Sequence, residues 1–251
     1  MRHKSERSLS LASEWGKADL HIHTRLSDGG PAPGRLIEHV ARHTDLDVIA
    51  ITDHDRIDGG LQVRERAASL GLSVVIGEEV STADGHLLAL FINEPIAPGR
   101  PIEQTIAEVH AQGGLAVAAH PFDLLSKSLL GRAGRPWSEE ALRLLQLDGI
   151  EALNASLVRH GANARAGLLA LALGFTALGS SDAHHLGAVG QAYTRFPGHT
   201  AEDLRQAILT GTAAAGGQSW RARQYLSWVA GCLIPRTIHR ARGAVHAWGL
   251  T

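Results

Sequence analysis

Side chains that can bind divalent metal ions follow the predicted strands along most of this 251-residue chain. Each is a histidine, an aspartate or a glutamate, so the set offers nitrogen and oxygen ligands and no thiolate. Such ligands are typical of clusters of hard or borderline divalent ions, whereas structural zinc sites are rich in cysteine. The pattern therefore predicts a metal-dependent hydrolase. The nine candidate ligands are His21, His23, Asp28, His54, Glu79, His86, His120, Asp182 and His184.

The first motif, D-L-H-I-H-T at residues 19–24, contains two of these histidines. Residues two apart in a strand point to the same face, so His21 and His23 can bind one ion together. A strand face of hydrogen-bonded imidazoles is the alternative explanation of this spacing. The following S-D-G-G contains Asp28, which is either a ligand or an ordinary turn residue.

The motif T-D-H-D, residues 52–55, directly follows a second predicted strand. Loops after barrel strands are where active sites are built, so we interpret His54 as a ligand. We expect Asp53 and Asp55 not to bind the ion themselves. They would either fix the tautomer of a histidine ring by a hydrogen bond or serve as acids at the start of a helix. A cluster of helix caps would explain the aspartates but not the histidine.

Two adjacent glutamates end the third predicted strand in G-E-E-V-S, residues 77–81. Strand alternation sends Glu78 and Glu79 to opposite faces, so only one can reach the centre. We expect this to be Glu79, whose two oxygens can bridge two cations, while Glu78 lies on the surface.

The last two motifs each follow an apolar strand. A-A-H-P ends at a proline after His120, a position where a lone histidine would usually be packed or hydrogen-bonded. In G-S-S-D-A-H-H, Asp182 and His184 share a face and His185 points away. The occurrence of all these motifs together favours one common site over independent coincidences.

Short apolar, β-branched runs alternate with segments of helical periodicity, which predicts a parallel sheet with helices outside it. Strands are predicted over 18–22, 47–51, 73–76, 87–92, 115–118, 149–153 and 175–178. Helices are predicted over 34–43, 59–70, 101–112, 138–146 and 160–173.

One connection breaks this alternation. Only six residues separate Glu79 from His86, too few for a parallel crossover. The fourth strand should therefore run antiparallel to the third, through a turn at Asp84-Gly85, and should bring both ligands to the same rim. We expect an irregular seven-stranded α/β barrel.

Composition limits the remaining classes. A hydrophobic content of 44% with 20% charged residues indicates one large globular domain. The basic N-terminal residues are followed by no apolar stretch, which predicts no secretory signal, and no run approaches the length of a membrane span. The single cysteine, Cys232, excludes an intrachain disulfide and fits a reducing compartment, so we expect a cytoplasmic protein.

Together, D-L-H-I-H-T-x-x-S-D-G, T-D-H-D, G-E-E-V-S, the histidine at position 86, A-H-P and S-S-D-A-H resemble the motifs of the PHP (polymerase and histidinol phosphatase) superfamily. The resemblance runs from about residue 17 to residue 216. It implies a distorted (β/α)7 TIM-like barrel that cleaves phosphoesters with two or three divalent ions, commonly zinc, manganese or iron. The implied ligand sets are His21, His23, Glu79 and Asp182 for one ion, Glu79, His86 and His120 for a second, and Asp28, His54 and His184 for a third.

The implied reaction is attack on phosphorus by a hydroxide that the ions generate from water. Glu79, Asp182 and His184 are the candidate catalytic residues, and His184 could protonate the leaving group if the third ion is absent. Positioning of the phosphate requires further donors, for which Arg25, Arg159, His160 and Asn154 are candidates; each could equally be an ordinary surface or capping residue.

The substrate is expected to be a small phosphate monoester or a nucleotide, and oligonucleotide ends are also candidates. Two other classes of protein remain open at this stage. The same ligands could serve a metal-dependent amidohydrolase that cleaves carbon–nitrogen or carboxylic ester bonds. Alternatively, the barrel could bind metal only for stability, as a non-catalytic module.

The chain divides into an N-terminal extension at 1–16, the barrel at 17–217 and a basic tail at 218–251. Residues 221–251 contain five arginines and no acid. Tyr225, Trp228, Val229 and Cys232 recur at helical spacing, which predicts a further helix packed on the barrel with its arginines reaching water. A dimer contact, a membrane-surface helix and a nucleic-acid patch are the alternatives.

Overall fold

The computed structural model describes residues 14–131, 136–157 and 161–230. Within these ranges the chain forms a nine-stranded sheet surrounded by helices. The strands are β1 (Trp15–Asp19), β2 (Val48–Ile51), β3 (Ser73–Ser81), β4 (His86–Leu90), β5 (Leu115–Ala118), β6 (Gly149–Asn154), β7 (Thr176–Ser180), β8 (Ala192–Pro197) and β9 (Ala214–Gly217).

The helices connect these strands on the outside of the sheet. They are α1 (Pro33–His43), α2 (Asp58–Ser69), α3 (Ile102–Ala111), α4 (Glu139–Leu144), α5 (Ala162–Leu173), α6 (Ala201–Leu209) and α7 (Ala222–Trp228). A 3-10 turn, Leu186–Ala188, follows β7. In the described part of the chain, no helix is both long and apolar enough to cross a membrane.

The sheet curves into a nearly closed barrel. Its strand order is β7-β6-β5-β4-β3-β2-β1-β8-β9. The two ends approach each other at Thr194 in β8, whose hydroxyl accepts from the Gly179 amide at 3.0 Å and donates to the Gly179 carbonyl at 2.9 Å. The predicted α/β barrel with an added C-terminal helix is therefore confirmed.

The predicted break in the parallel pattern is also present. Strand β3 pairs antiparallel with β4, with Gly77 opposite Leu90 and Ser81 opposite His86. Strand β4 is antiparallel to β5 as well, while β1-β2-β3 and β5-β6-β7 are parallel. Because β4 is reversed, its first residue lies at the rim where the parallel strands end.

All seven predicted strands and five predicted helices are found, with boundaries shifted by a few residues. Strands β8 and β9 and helix α6 were not predicted. The sequence of β9 is A-A-G-G, which has little strand propensity. The start of helix α6 could have been predicted from the sequence, since Thr200 and Asp203 have the spacing of a capping box and form one there.

The barrel interior is an apolar core rather than a channel. One cluster takes buried side chains from strands around the barrel, including Val48, Leu88, Val117, Leu178 and Phe196, together with buried residues of α6. Two further clusters pack the outer helices against the sheet. With the interior filled, polar side chains at the carboxyl ends of the parallel strands emerge at one rim, as in other α/β barrels.

The start of α2 must approach the rim closely, which requires a glycine. A Cβ at Gly59 would clash with Asp53 Oδ2 and lie 2.7 Å from Ile51 Cγ2, whereas a Cβ at Gly167 in α5 would meet no atom of the described residues within 4 Å. We expect Gly59→Ala to lower the free energy of unfolding by about 1–3 kcal/mol. The matched control Gly167→Ala should raise it by about 0.5–1 kcal/mol. Urea denaturation measures both, and a shift in the same direction for both variants would contradict the predicted contact.

Candidate metal centre

The structure brings all nine predicted ligands to one end of the barrel. They lie in β3, at the start of β4, or in the segments that follow β1, β2, β5 and β7. Neighbouring imidazole rings have centroids 4.4–5.7 Å apart, as between His23 and His184 at 4.4 Å and between His86 and His120 at 5.4 Å. Segments far apart in the sequence therefore converge on one cluster.

Glu79 lies at the centre of this cluster and is 1% exposed. Its Oε1 atom is 2.8 Å from His86 Nδ1 and 2.9 Å from His120 Nε2. Its Oε2 atom is 3.1 Å from His21 Nε2, 3.2 Å from His23 Nε2 and 3.4 Å from His54 Nδ1. The two oxygens thus face different sets of imidazoles, which is the arrangement a carboxylate bridging two cations requires.

Several groups of ligand atoms are close enough to share an ion. In each group one donor atom per residue lies within 4.8 Å of the others. Each group shares at least two residues with one of the ligand sets that the family resemblance implied. The groups are His21–His23–Asp182, His21–Glu79–His120, His23–Asp28–His184 and His23–His54–Glu79.

Imidazole nitrogens without a hydrogen-bond partner show whether these residues suit a metal ion. His21 Nε2, His23 Nε2, His54 Nδ1 and His86 Nδ1 are buried and make no hydrogen bond within the described parts of the chain. A buried polar atom without a partner is costly, so such atoms require another explanation. Since all four lie within 3.4 Å of the Glu79 carboxylate, the donor set fits divalent cations.

The charges of the cluster also favour bound cations. Burial acts to lower the pKa of the His23 imidazole, but the carboxylates of Asp28, Asp182 and Glu79 outweigh it and raise that pKa to about 10. Burial acts to raise the pKa of Glu79, yet His21, His86 and the neighbouring imidazoles hold it well below its ordinary value. The carboxylates therefore stay ionised and attract positive charge, which bound cations would supply.

The backbone is strained at two of the ligands. His120 has φ 26° and Asp182 has φ 50°, both in the left-handed region that favours glycine. Positive φ values at residues other than glycine cost about 1–3 kcal/mol each and cluster at functional sites. Both residues closely follow a strand, β5 or β7, and both side chains lie in the cluster.

A carboxylate that we did not predict holds the cluster from behind. Glu151 in β6 is 1% exposed, and it accepts from His21 Nδ1 at 3.0 Å and from the His120 amide at 2.6 Å. Its contact with His21 directs Nε2 of that ring toward the centre. An acid inside a predicted apolar strand was the signal in the sequence that could have identified it.

Asp19 has a similar supporting role at the end of β1. Its carboxylate accepts from the amides of Ser181 at 3.0 Å and Gly190 at 2.8 Å, which ties β1 to the segment after β7. Burial raises the pKa of Asp19 to about 6, although these hydrogen bonds act to lower it.

The expected tautomer-fixing role of Asp53 and Asp55 is not found in the hydrogen bonds of the described residues. Asp53 instead accepts from the Thr24 amide and hydroxyl at 2.7 Å each, and from the Ser27 hydroxyl at 2.6 Å. Asp55 accepts from the Ser81 amide at 2.7 Å. Both aspartates fasten loop backbone, and Asp53 in particular shapes the loop that carries Asp28.

The predicted surface position of Glu78 is wrong. The side chain is fully buried, and Oε1 accepts from the Ile96 amide at 2.5 Å. Strand alternation does send it away from Glu79, but the outer face of β3 is covered by packed helices and by the segment around Ile96. Alternation alone could not show that both faces of this strand are buried.

The substrate-binding candidates have different outcomes. Arg159 and His160 lie outside the described residues. Arg25 is exposed, and among the described residues it is not part of the lining of the cavity that opens beside the cluster. Asn154 is buried, and its amide group donates to Glu151 at 3.0 Å and Asp182 at 3.3 Å. This placement favours a supporting role for Asn154 over the predicted substrate contact.

A cavity of about 280 Å³ opens beside the cluster. Eight of the nine candidate ligands line it, together with Leu125, Ser126, Ser156 and Leu157 and with Trp220, Tyr225 and Trp228 of the tail. The predicted tail helix is thus present as α7. The two arginines that precede or begin it, Arg221 and Arg223, are exposed, while Cys232 and the later arginines lie outside the described residues.

Comparison with known proteins gives the family. Residues 160–213 match a family model described as PHP-associated. An uncharacterised protein of Methanocaldococcus jannaschii is 38% identical over 150 residues, which cover 55% of this chain and 82% of that protein. The chain belongs to the PHP superfamily.

Two other similarities are more limited. A 3′,5′-nucleoside bisphosphate phosphatase of Chromobacterium violaceum is 34% identical over 83 residues, or 33% of this chain and 29% of that enzyme. A two-domain protein of Bacteroides vulgatus that contains a predicted PHP-like metal-dependent phosphoesterase shares the fold, with a TM-score of 0.66 at 22% identity. That likeness covers 81% of this chain and 65% of the other.

Glu151 provides a test of the metal centre. Glu151→Gln removes the charge behind His21 while preserving shape, and loss of such an outer carboxylate typically costs 10–100-fold in metal affinity, so we expect a loss of about that size. Titration of zinc or manganese into chelator-treated protein measures it. The exposed Glu140→Gln is the control, and equal affinities for the two variants would contradict the role of Glu151.

Glu78 provides a test that depends on pH. Burial raises the pKa of Glu78 from 4.5 to about 7, so the folded state holds a proton that the unfolded state releases between these values. The associated stability is lost as pH rises through 7, at about 1.4 kcal/mol per pKa unit. Glu78→Gln, which stays neutral, should therefore gain stability relative to wild type between pH 5 and pH 8.

Urea denaturation at both pH values, with chelator present, measures this difference. Exposed Glu65→Gln should show no such change with pH. A difference between Glu78→Gln and wild type that is independent of pH would rule out a buried, protonated Glu78.

Proposed function

We propose that this protein is a metal-dependent phosphoesterase that hydrolyses a small phosphate monoester or a nucleotide-type phosphoester. The observation that carries the proposal is the buried Glu79 carboxylate, whose two oxygens face five imidazoles at 2.8–3.4 Å. Membership of the PHP superfamily supports the same reaction class.

The proposed cofactors are two or three divalent ions, with zinc, manganese and iron as candidates because the ligands are imidazoles and carboxylates. Glu79 would bridge two of them, with His21, His23 and Asp182 on one side and His86 and His120 on the other. Asp28, His54 and His184 would hold a third. Bound ions supply an activated water and neutralise the charge of the phosphate.

The protein's own residues would orient the reacting groups. Ser156 donates to Asp182 Oδ2 at 2.8 Å, so that the other oxygen of Asp182 faces His21 and His23. His184 lines the cavity, and its Nδ1 lies 3.0 Å from the Asp182 carbonyl, which leaves Nε2 directed at Asp28. His184 is thus held where it can donate a proton to a departing alcohol when no third ion occupies its site.

The cavity supports a small substrate. Its volume of about 280 Å³ is at the lower end of the range for ligand pockets. The Chromobacterium relative is named for a nucleotide substrate, which favours nucleotides among the candidates. The proposed location is the cytoplasm, because a chain with a single cysteine fits a reducing compartment.

The experiment is a substrate panel with the full chain loaded in turn with zinc, manganese or iron. We expect turnover of at least one phosphate monoester or nucleotide. His23→Ala and Asp182→Ala should abolish it, because each removes a proposed ligand, while the exposed His43→Ala should retain it. Circular dichroism checks that each variant remains folded.

The same panel includes amides and lactones. Hydrolysis of these compounds without any phosphoester turnover would replace the proposal with an amidohydrolase. Tightly bound metal with no turnover of any compound would indicate a non-catalytic module.

A further inference from the structure

Aromatic side chains of the C-terminal segment form one wall of the cavity. Only 4% of the residues in the chain are aromatic, yet two of its five tryptophans and one of its two tyrosines line this cavity. These three residues, which we call the aromatic wall, are Trp220, Tyr225 and Trp228. They lie beyond residue 213, where the match to the family model ends.

The wall is built onto the segments that follow β6 and β7. The indole nitrogen of Trp220 donates to the Ser181 carbonyl at 3.0 Å, next to Asp182. The hydroxyl of Tyr225 donates to the Ser156 carbonyl at 3.0 Å, and the two rings pack with centroids 5.3 Å apart. Because these polar atoms are already bonded, the two side chains offer mainly ring surface to the cavity.

Trp228 joins the wall to the metal centre. Its ring lies edge to face with the His184 imidazole, with centroids 6.1 Å apart. Unlike Trp220, which is 7% exposed and anchors the segment, Trp228 is only half-buried. A phosphoester whose phosphate lies at the cluster would therefore place its alcohol portion beside Trp228.

We propose that the aromatic wall is a binding subsite for a planar aromatic group, a nucleobase, on the alcohol side of the phosphoester. This inference rests on the proposed phosphoesterase function and names the substrate class as nucleotides rather than sugar phosphates. Every nucleobase has a π-face that can stack on an aromatic side chain, whereas a bare sugar has none. Leu125 and Leu157 extend the apolar lining of the same cavity.

Adenosine monophosphate and ribose 5-phosphate provide the test, since they share the ribose and the phosphate and differ by the base. We expect the metal-loaded enzyme to prefer adenosine monophosphate. Trp228→Ala should lower kcat/KM for adenosine monophosphate by about tenfold, as expected for the loss of one stacking contact, and leave ribose 5-phosphate unchanged. Trp228→Phe should retain most of the preference because it keeps a ring.

The control is Leu226→Ala on the same helix, where the side chain is 70% exposed. It should leave both substrates unaffected. An equal loss for both substrates in Trp228→Ala, or no loss for either, would overturn the subsite while leaving the phosphoesterase proposal standing.

Binding of adenosine to the metal-loaded protein separates the two proposals, because adenosine carries no phosphoester and needs no turnover. Equilibrium dialysis should show adenosine binding more tightly than ribose, and Trp228→Ala should weaken it. Adenosine binding without hydrolysis of any phosphoester would support the subsite and overturn the phosphoesterase. Absence of adenosine binding would overturn the subsite.

Discussion

The structure depends on one buried carboxylate. Glu79 lies at the centre of five imidazoles, and a charge in that position is stable only if positive charge surrounds it. The surrounding carboxylates, Asp28, Asp182 and Glu151, add further negative charge to the same small volume. Hydrogen bonds among the described residues balance this negative charge only in part, because several of the imidazole nitrogens that face Glu79 have no hydrogen-bond partner. Bound cations would complete the balance, and metal binding would then be coupled to the folding of this rim.

The reversal of β4 makes this arrangement geometrically accessible. In an all-parallel barrel, the residue that starts a strand lies at the rim opposite the active site. The β3–β4 hairpin instead carries His86 to the same rim as Glu79, where their atoms are 2.8 Å apart. The outer supports then fix orientation, since Glu151 holds His21 and Asn154 holds Asp182.

The alternation of strands and helices, the β3–β4 hairpin and the clustering of nine donors could be predicted from the sequence. Each of them follows from local periodicity, loop length or residue type. It was not sufficient for Glu78 or Asn154, whose burial depends on which elements cover them. Strand β9 could not be predicted because A-A-G-G is stabilised only by pairing with β8. The contact of Trp228 with the cavity likewise depends on how α7 packs on the segments after β6 and β7, and helical spacing alone does not contain that information.

The aromatic wall and the ligand cluster come from separate parts of the polypeptide. Barrel strands and their loops supply every donor atom, whereas the wall belongs to α7 and the residues just before it, which are attached through Trp220 and Tyr225. Substitutions that change the rings of the wall can therefore reshape the mouth of the cavity while the proposed metal ligands stay on the barrel. Selectivity in such a design can evolve independently of the chemistry.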